Sequence, residues 1–209
     1  MKFKQLHRKS LLLITALLVA FTAQAQSMRT LWLSMPDSVI PYLNLKMRTQ
    51  MANAKGDTIT SKGGLANKSL IETLAGDYLK AVLTEASTIE MKRFANLKGD
   101  SLVAVVNTFY GPEPESRLDI YDTSWKLLKS NILLDAVIVH PDSMMEEEFK
   151  VIKNKMEPII RVYRLSPKDD TLIVAYSLPM LSELDKQQVK SILQERKYNL
   201  PILLQNEVK

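Results

Sequence analysis

Between Tyr78 and Tyr121 the side chains change sides at nearly every residue, and this limits the fold more than any other feature. Tyr78 to Glu85 alternates with Leu79, Ala81 and Leu83 on one face, and Ser87 to Phe94 alternates through Ile89 and Met91. Ser101 to Tyr110 is the most β-prone run, and Arg117 to Tyr121 follows it. Leu97-Lys98-Gly99-Asp100 and Gly111-Pro112-Glu113-Pro114 punctuate these runs. A period of two broken by Gly, Pro and Asp turns predicts sequential strands pairing antiparallel. No strand–helix alternation of the βαβ kind appears, so a parallel doubly wound sheet is not expected. The predicted class is α+β, an antiparallel β-meander with helices packed on it.

Helical periods flank the meander. Leu31, Met35, Val39, Ile40, Leu43, Met47 and Met51 recur at spacings of three and four, the stripe of a buried helix. Pro36 and Pro41 interrupt it. A helix ending near Ser34 and a second starting close to Asp37 are expected, since proline suits only a first turn. Gly56-Asp57 should stop that helix and Lys62-Gly63-Gly64 should form a turn. Trp125 and Ile132-Leu133-Leu134 must pack somewhere, but the periodicity of 122–139 does not decide how. A helix is expected over Ser143–Met156, then a hairpin of Ile159–Leu165 and Thr171–Leu178. A last helix, opened by Ser182-Glu183-Leu184-Asp185, should run to about Lys197 with Leu184, Val189, Ile192 and Leu193 inward.

The stretch "MPDSVIPYL" at 35–43 is echoed by "HPDSMMEEEF" at 140–149. Two related halves, 29–121 and 140–200, are one reading; shared helix-start chemistry is the other. Ser143 to Glu146 has the form of a capping box, and Asp37 or Ser38 can cap the first copy.

The N-terminus reads as an export leader: Lys2, Lys4, Arg8 and Lys9, an apolar core from Leu11 to Phe21, then Ala23-Gln24-Ala25. The apolar run is short of the about 20 residues a bilayer span needs. Cleavage after Ala25 leaves one domain, 26–209, without a second transmembrane segment. A periplasmic or secreted location follows. The chain has 28 Lys and Arg against 23 Asp and Glu. Four of those bases and no acid lie in the leader, so the rest is nearly neutral and has no field to draw it to nucleic acid. With no cysteine, no disulfide supports the fold, and an ordinary apolar core must hold it.

Few catalytic groups remain. His140 is the sole histidine beyond the leader, so multi-His or Cys metal sites are closed. No Gly-x-Ser-x-Gly elbow accompanies it, and before Pro141 it reads as a surface residue. Lys62 precedes Gly63-Gly64, the wrong order for a phosphate loop. Glu146-Glu147-Glu148 reads as a solvated helix N-terminus and not as a calcium site. No pair of carboxylates stands out for glycoside hydrolysis. No catalytic residue, metal or cofactor is assigned.

The aromatics Phe109, Tyr110, Tyr121 and Trp125 gather around the Gly111–Pro114 turn. They suit a recognition patch, because Tyr and Trp dominate binding hot spots, and equally a core under a hairpin. Phe109 is assigned to the core. Tyr110, Tyr121 and Trp125 are the candidate binding residues, with Tyr110 and Trp125 open between the two roles.

"MPDSVIPYL", Gly63-Gly64, "DYLKAVLTEASTIEMK" (77–92), "NTFYGPEPESRLDIYDTSWK" (107–126) and "SELDKQQVK" (182–190) together resemble the DUF3256 family of small exported Bacteroidetes proteins. The resemblance covers about residues 29–200, and Thr108 to Pro112 with Tyr121 and Trp125 is its most specific part. Met47 to Ala52 departs from it, standing where an acidic stretch is expected. It implies export and an α+β fold and carries no catalytic residue. Taken together, the expected function is a non-enzymatic, exported protein-binding module whose partner is another envelope protein. The alternative is a carrier of a small apolar or peptide ligand between sheet and helices. The chain keeps nine of its ten methionines beyond the leader, and Met47, Met51 and Met91 would line such a cavity.

Overall fold

The computed structural model describes residues 27–54 and 69–206. The expected leader, and the expected helix stop at Gly56-Asp57 and turn at Lys62-Gly63-Gly64, lie outside these residues. Two helices, α1 (Met28–Ser34) and α2 (Leu45–Asn53), precede β1 (Leu70–Ala75), β2 (Tyr78–Thr84), β3 (Ser87–Ala95), β4 (Ser101–Tyr110), β5 (Pro114–Asp122) and β6 (Leu127–Lys129). Then come α3 (Glu146–Lys155), β7 (Ile160–Leu165), β8 (Thr171–Ser177), α4 (Glu183–Val189), β9 (Arg196–Asn199) and α5 (Leu200–Asn206). Strands β1 to β6 form one antiparallel sheet in chain order, and β7 to β9 form a second, smaller one. The class is α+β with an antiparallel meander, as the alternation predicts.

Both faces of the six-stranded sheet carry buried residues, and the alternation assigns each to its face. Leu79, Ala81, Leu83, Ile89, Met91, Val103, Val105 and Tyr121 point to one side, where Met28, Leu31, Trp32, Leu43 and Met51 cover them. The intervening Tyr78, Phe94, Leu102, Ala104, Val106, Leu118 and Ile120 point to the other. There Tyr163, Leu165, Leu172 and Val174 of the small sheet, and Leu200, Leu203 and Leu204, seal them. A third cluster gathers Ile152, Met156, Leu178, Leu181, Val189, Ile192 and Leu193. Continuous burial on β4 follows from a strand enclosed on both faces; such strands read as runs of Val and Ala. Ile132 and Leu134, undecided from the sequence, join the core between the sheets.

Several boundaries differ from expectation. The second helix begins at Leu45, capped by the Asn44 side chain, which accepts the Met47 N–H at 3.1 Å. Asp37 and Ser38 cap nothing; Asp37 instead pairs with the buried Arg48 at 2.8 Å. Arg48 also donates to the carbonyls of Leu43 and Met35, and its own carbonyl accepts the Trp32 indole N–H at 3.0 Å. One guanidinium thus holds the 35–43 segment as a stack of turns against the core, satisfying carbonyls that water no longer reaches. The second echo does different work. It leads into α3, whose cap Met145 makes no side-chain bond, so the Ser143 box does not form. The Ser182 cap does form, accepting Asp185 N–H at 3.2 Å and donating to its carboxylate at 2.7 Å. That helix ends at Val189, and β9 and α5 follow it. Leu184 is exposed, so it is not an inward residue of α4.

Candidate binding groove

The β4–β5 hairpin sets the site. Its register places Val103 opposite Tyr121, Val105 opposite Asp119, Asn107 opposite Arg117 and Phe109 opposite Glu115. Period two puts all eight side chains on the helix-covered face. The helices shelter the first end of this ladder only. Phe109 remains 53% exposed, and the 38–42 turn stands beside it as a wall. Tyr42 on that wall comes within 3.5 Å of the Ser87 hydroxyl. A cavity of about 230 Å³ opens between Val39, Tyr42, Asn107, Phe109 and Arg117. A second, about 390 Å³, lies on the far side of the same Phe109 and Arg117, lined also by Glu115, Ser130 and Asn131. The two hollows share Phe109 and Arg117 and are taken together as the groove at the sheet rim.

Arg117 crosses the groove in a fixed pose. Its Nε donates to Asp119 at 3.0 Å, and Nη2 donates to the Ser130 hydroxyl at 3.0 Å. Asp119 is almost fully buried and also accepts the Asn131 N–H at 2.8 Å. A guanidinium held by two partners loses little further freedom on binding. A half-exposed aromatic, a positioned arginine and amides on both sides are the residue types that carry binding energy at interfaces.

The three candidate residues do not form one patch. Tyr110 is exposed, but it follows Phe109 and so points to the opposite face, where its hydroxyl lies 3.4 Å from that of Thr88. Tyr121 and Trp125 are each 8% exposed and meet edge to face, with centroids 5.5 Å apart. Trp125 adopts a left-handed backbone, φ 67°, uncommon outside glycine. Asp122 holds that turn by accepting the N–H groups of Ser124 and Lys126 at 2.8 and 3.0 Å. The turn folds the indole back over α1, where its N–H donates to the Ser34 hydroxyl at 3.2 Å. Phe109, assigned to the core from sequence, is exposed instead. The alternation placed it on the correct face, but nothing in the sequence showed how far the helices reach along that face.

A second polar group lies between the sheets. Glu90 is 7% exposed; its carboxylate accepts the Leu165 N–H at 2.7 Å and the Tyr78 hydroxyl at 3.2 Å. Burial raises its pKa above the usual carboxylate range, against those hydrogen bonds. The same burial, with Glu90 beside it, drives the Tyr78 hydroxyl above its ordinary range. Lys92 is buried two residues on and reaches Asp77 at 2.9 Å and Asp170 at 4.0 Å. These bonds anchor both ends of the β7–β8 turn, which makes the group a clamp between sheets. Met51 and Met91 are packed within the helix-covered core and Met47 is half-buried against it. His140 is on the surface with its ring 4.5 Å from that of Phe149.

Among the described residues no helix is long and apolar enough to cross a membrane, and no group of three or more His, Cys, Asp or Glu could hold a metal ion. No curated protein matches the chain. Its fold is similar to a solved domain of an uncharacterised protein from Porphyromonas gingivalis W83, at 20% identity and a TM-score of 0.64. The likeness covers 83% of this chain and 92% of that one. Residues 20–200 match the family described as protein of unknown function DUF3256. A meander of six strands, helices on one face, a small sheet on the other and that match together place this chain in the DUF3256 family.

Proposed function

We propose that this protein is a non-enzymatic binding module, exported to the cell envelope, that engages another envelope protein through the rim groove. The observation that carries the reading is Phe109, a half-exposed ring beside an arginine already fixed by Asp119 and Ser130. Aromatic and arginine anchors of this kind supply most of the binding energy at protein interfaces. The perturbed carboxylate Glu90 supports no catalytic reading, because the strand end that satisfies it also covers it. The filled core around Met51 and Met91 gives the carrier reading no support.

The test is site-resolved. A photoreactive residue replaces Phe109 in one protein and Leu97 in another, the latter also exposed but on the β3–β4 turn. Irradiation in the native envelope followed by mass spectrometry identifies what is attached. One dominant partner from position 109 and none from 97 supports the reading. Equal capture from both positions, or none, contradicts it.

A further inference from the structure

We propose that the groove receives a lysine or arginine side chain of the partner, its aliphatic stem across Phe109 and its charge at Glu115. This rests on the reading of the groove as the recognition surface, and it names the partner's chemistry. Phe109 and Glu115 are directly paired across β4 and β5, so their Cβ atoms are about 5 Å apart on one face. Both are exposed, and Glu115 has no partner among the described residues. The neighbouring charges are already engaged. Arg117 is bonded to Asp119, and Glu113 at the hairpin tip is bonded to Lys186 at 2.7 Å. With Arg117 offset by Asp119, Glu115 leaves the groove with a net negative charge.

An exposed aromatic face beside an open carboxylate suits a cation on an apolar stem. The ring quadrupole attracts the cation, the carboxylate accepts a charge-assisted hydrogen bond, and the methylenes cover the ring while the head stays wet. An acidic side chain would be repelled by Glu115. A purely apolar one would press against that carboxylate and leave it without a partner.

The test uses three blocked peptides, Gly-Leu-X-Leu-Gly with X as Lys, Gln or Glu, titrated into isotope-labelled protein and followed by amide NMR. The expected result is binding in the order Lys, Gln, Glu, with Lys about tenfold tighter than Gln. Shifts should gather on residues 107–117, and added salt should weaken the Lys peptide most. Glu115→Gln, an exposed change that leaves the core intact, should erase the preference for Lys, and Phe109→Leu should weaken the Lys peptide. Equal binding of Lys and Gln, or a preference that survives Glu115→Gln, overturns the inference. If those shifts still gather on 107–117, the groove stands and only its charge preference is wrong. No binding by any peptide also overturns the inference, while crosslinking at position 109 continues to judge the groove independently.

Discussion

On the helix-covered face of the main sheet Arg48 is buried among backbone carbonyls; on the sheet-covered face Glu90 is buried against a backbone N–H. Arg48 holds the layer over one face together, and Glu90 joins the small sheet to the main one, each by satisfying main-chain groups that packing removes from water. They differ in how they respond to protons. A guanidinium keeps its charge at every accessible pH, whereas Glu90 has been moved by burial toward titrating nearer neutrality. One layer is therefore held through a guanidinium and the other joined through a carboxyl whose charged form burial disfavours.

The largest expected effect breaks the helix side. Trp125→Ala removes a ring buried against Tyr121 and Ser34 and should lower stability by about 3 kcal/mol, read by chemical denaturation. If it instead weakens only partner capture, Trp125 is a contact residue and the core assignment fails. Arg48→Met keeps apolar bulk but leaves the carbonyls of Met35 and Leu43 unpaired, at a cost of about 2 kcal/mol. It should also weaken binding, since the 35–43 segment forms the groove wall. Unchanged binding would separate the wall from the site.

A smaller effect sharpens the pH contrast. The folded-state pKa of Glu90 is raised, so the folded protein holds this proton more tightly than the unfolded chain. Its contribution to stability is therefore greatest below the unfolded carboxylate value and declines as pH rises through the folded one. Glu90→Gln keeps an acceptor for Leu165 and removes the buried charge. Relative to the parent it should gain stability as pH rises across that window, measured by denaturation at a series of pH values. A constant difference would mean that Glu90 does not titrate there. Trp32 and Trp125 are the two tryptophans and both lie in the helix-covered core, so their fluorescence reports that side alone. The smallest effect on stability is expected at the rim: Phe109→Ala should change it by about 0.5 kcal/mol or less.

The meander was legible because each of β2 to β5 repeats its pattern over several residues. β1 was not, because a bulge between Ile71 and Thr73 moves Leu74 onto the face that Ile71 occupies. The strand β9 spans only Arg196–Asn199, and α5 follows it directly, too short for a helical period to stand out. The Pro-Asp-Ser stretch resembled a helix start in composition, yet Arg48, several residues further on, captured its acid and carbonyls. The groove was legible in part. Its aromatic residues were visible, but Phe109 lines it in place of Tyr110, because register turns Tyr110 to the opposite face and the exposure of Phe109 depends on where α1 and α2 end. Trp125 was hidden by a left-handed turn that its neighbours give no simple sign of. Arg117 and Glu115 acquire meaning only through the register with Asn107 and Phe109.

The most direct measurement compares Phe109→Ala with the parent protein for thermal stability and for partner capture in the native envelope. Loss of capture with an unchanged melting temperature is the result expected of a rim residue that recognises a partner. Retained capture, or a melting temperature lowered as far as in Trp125→Ala, would contradict it.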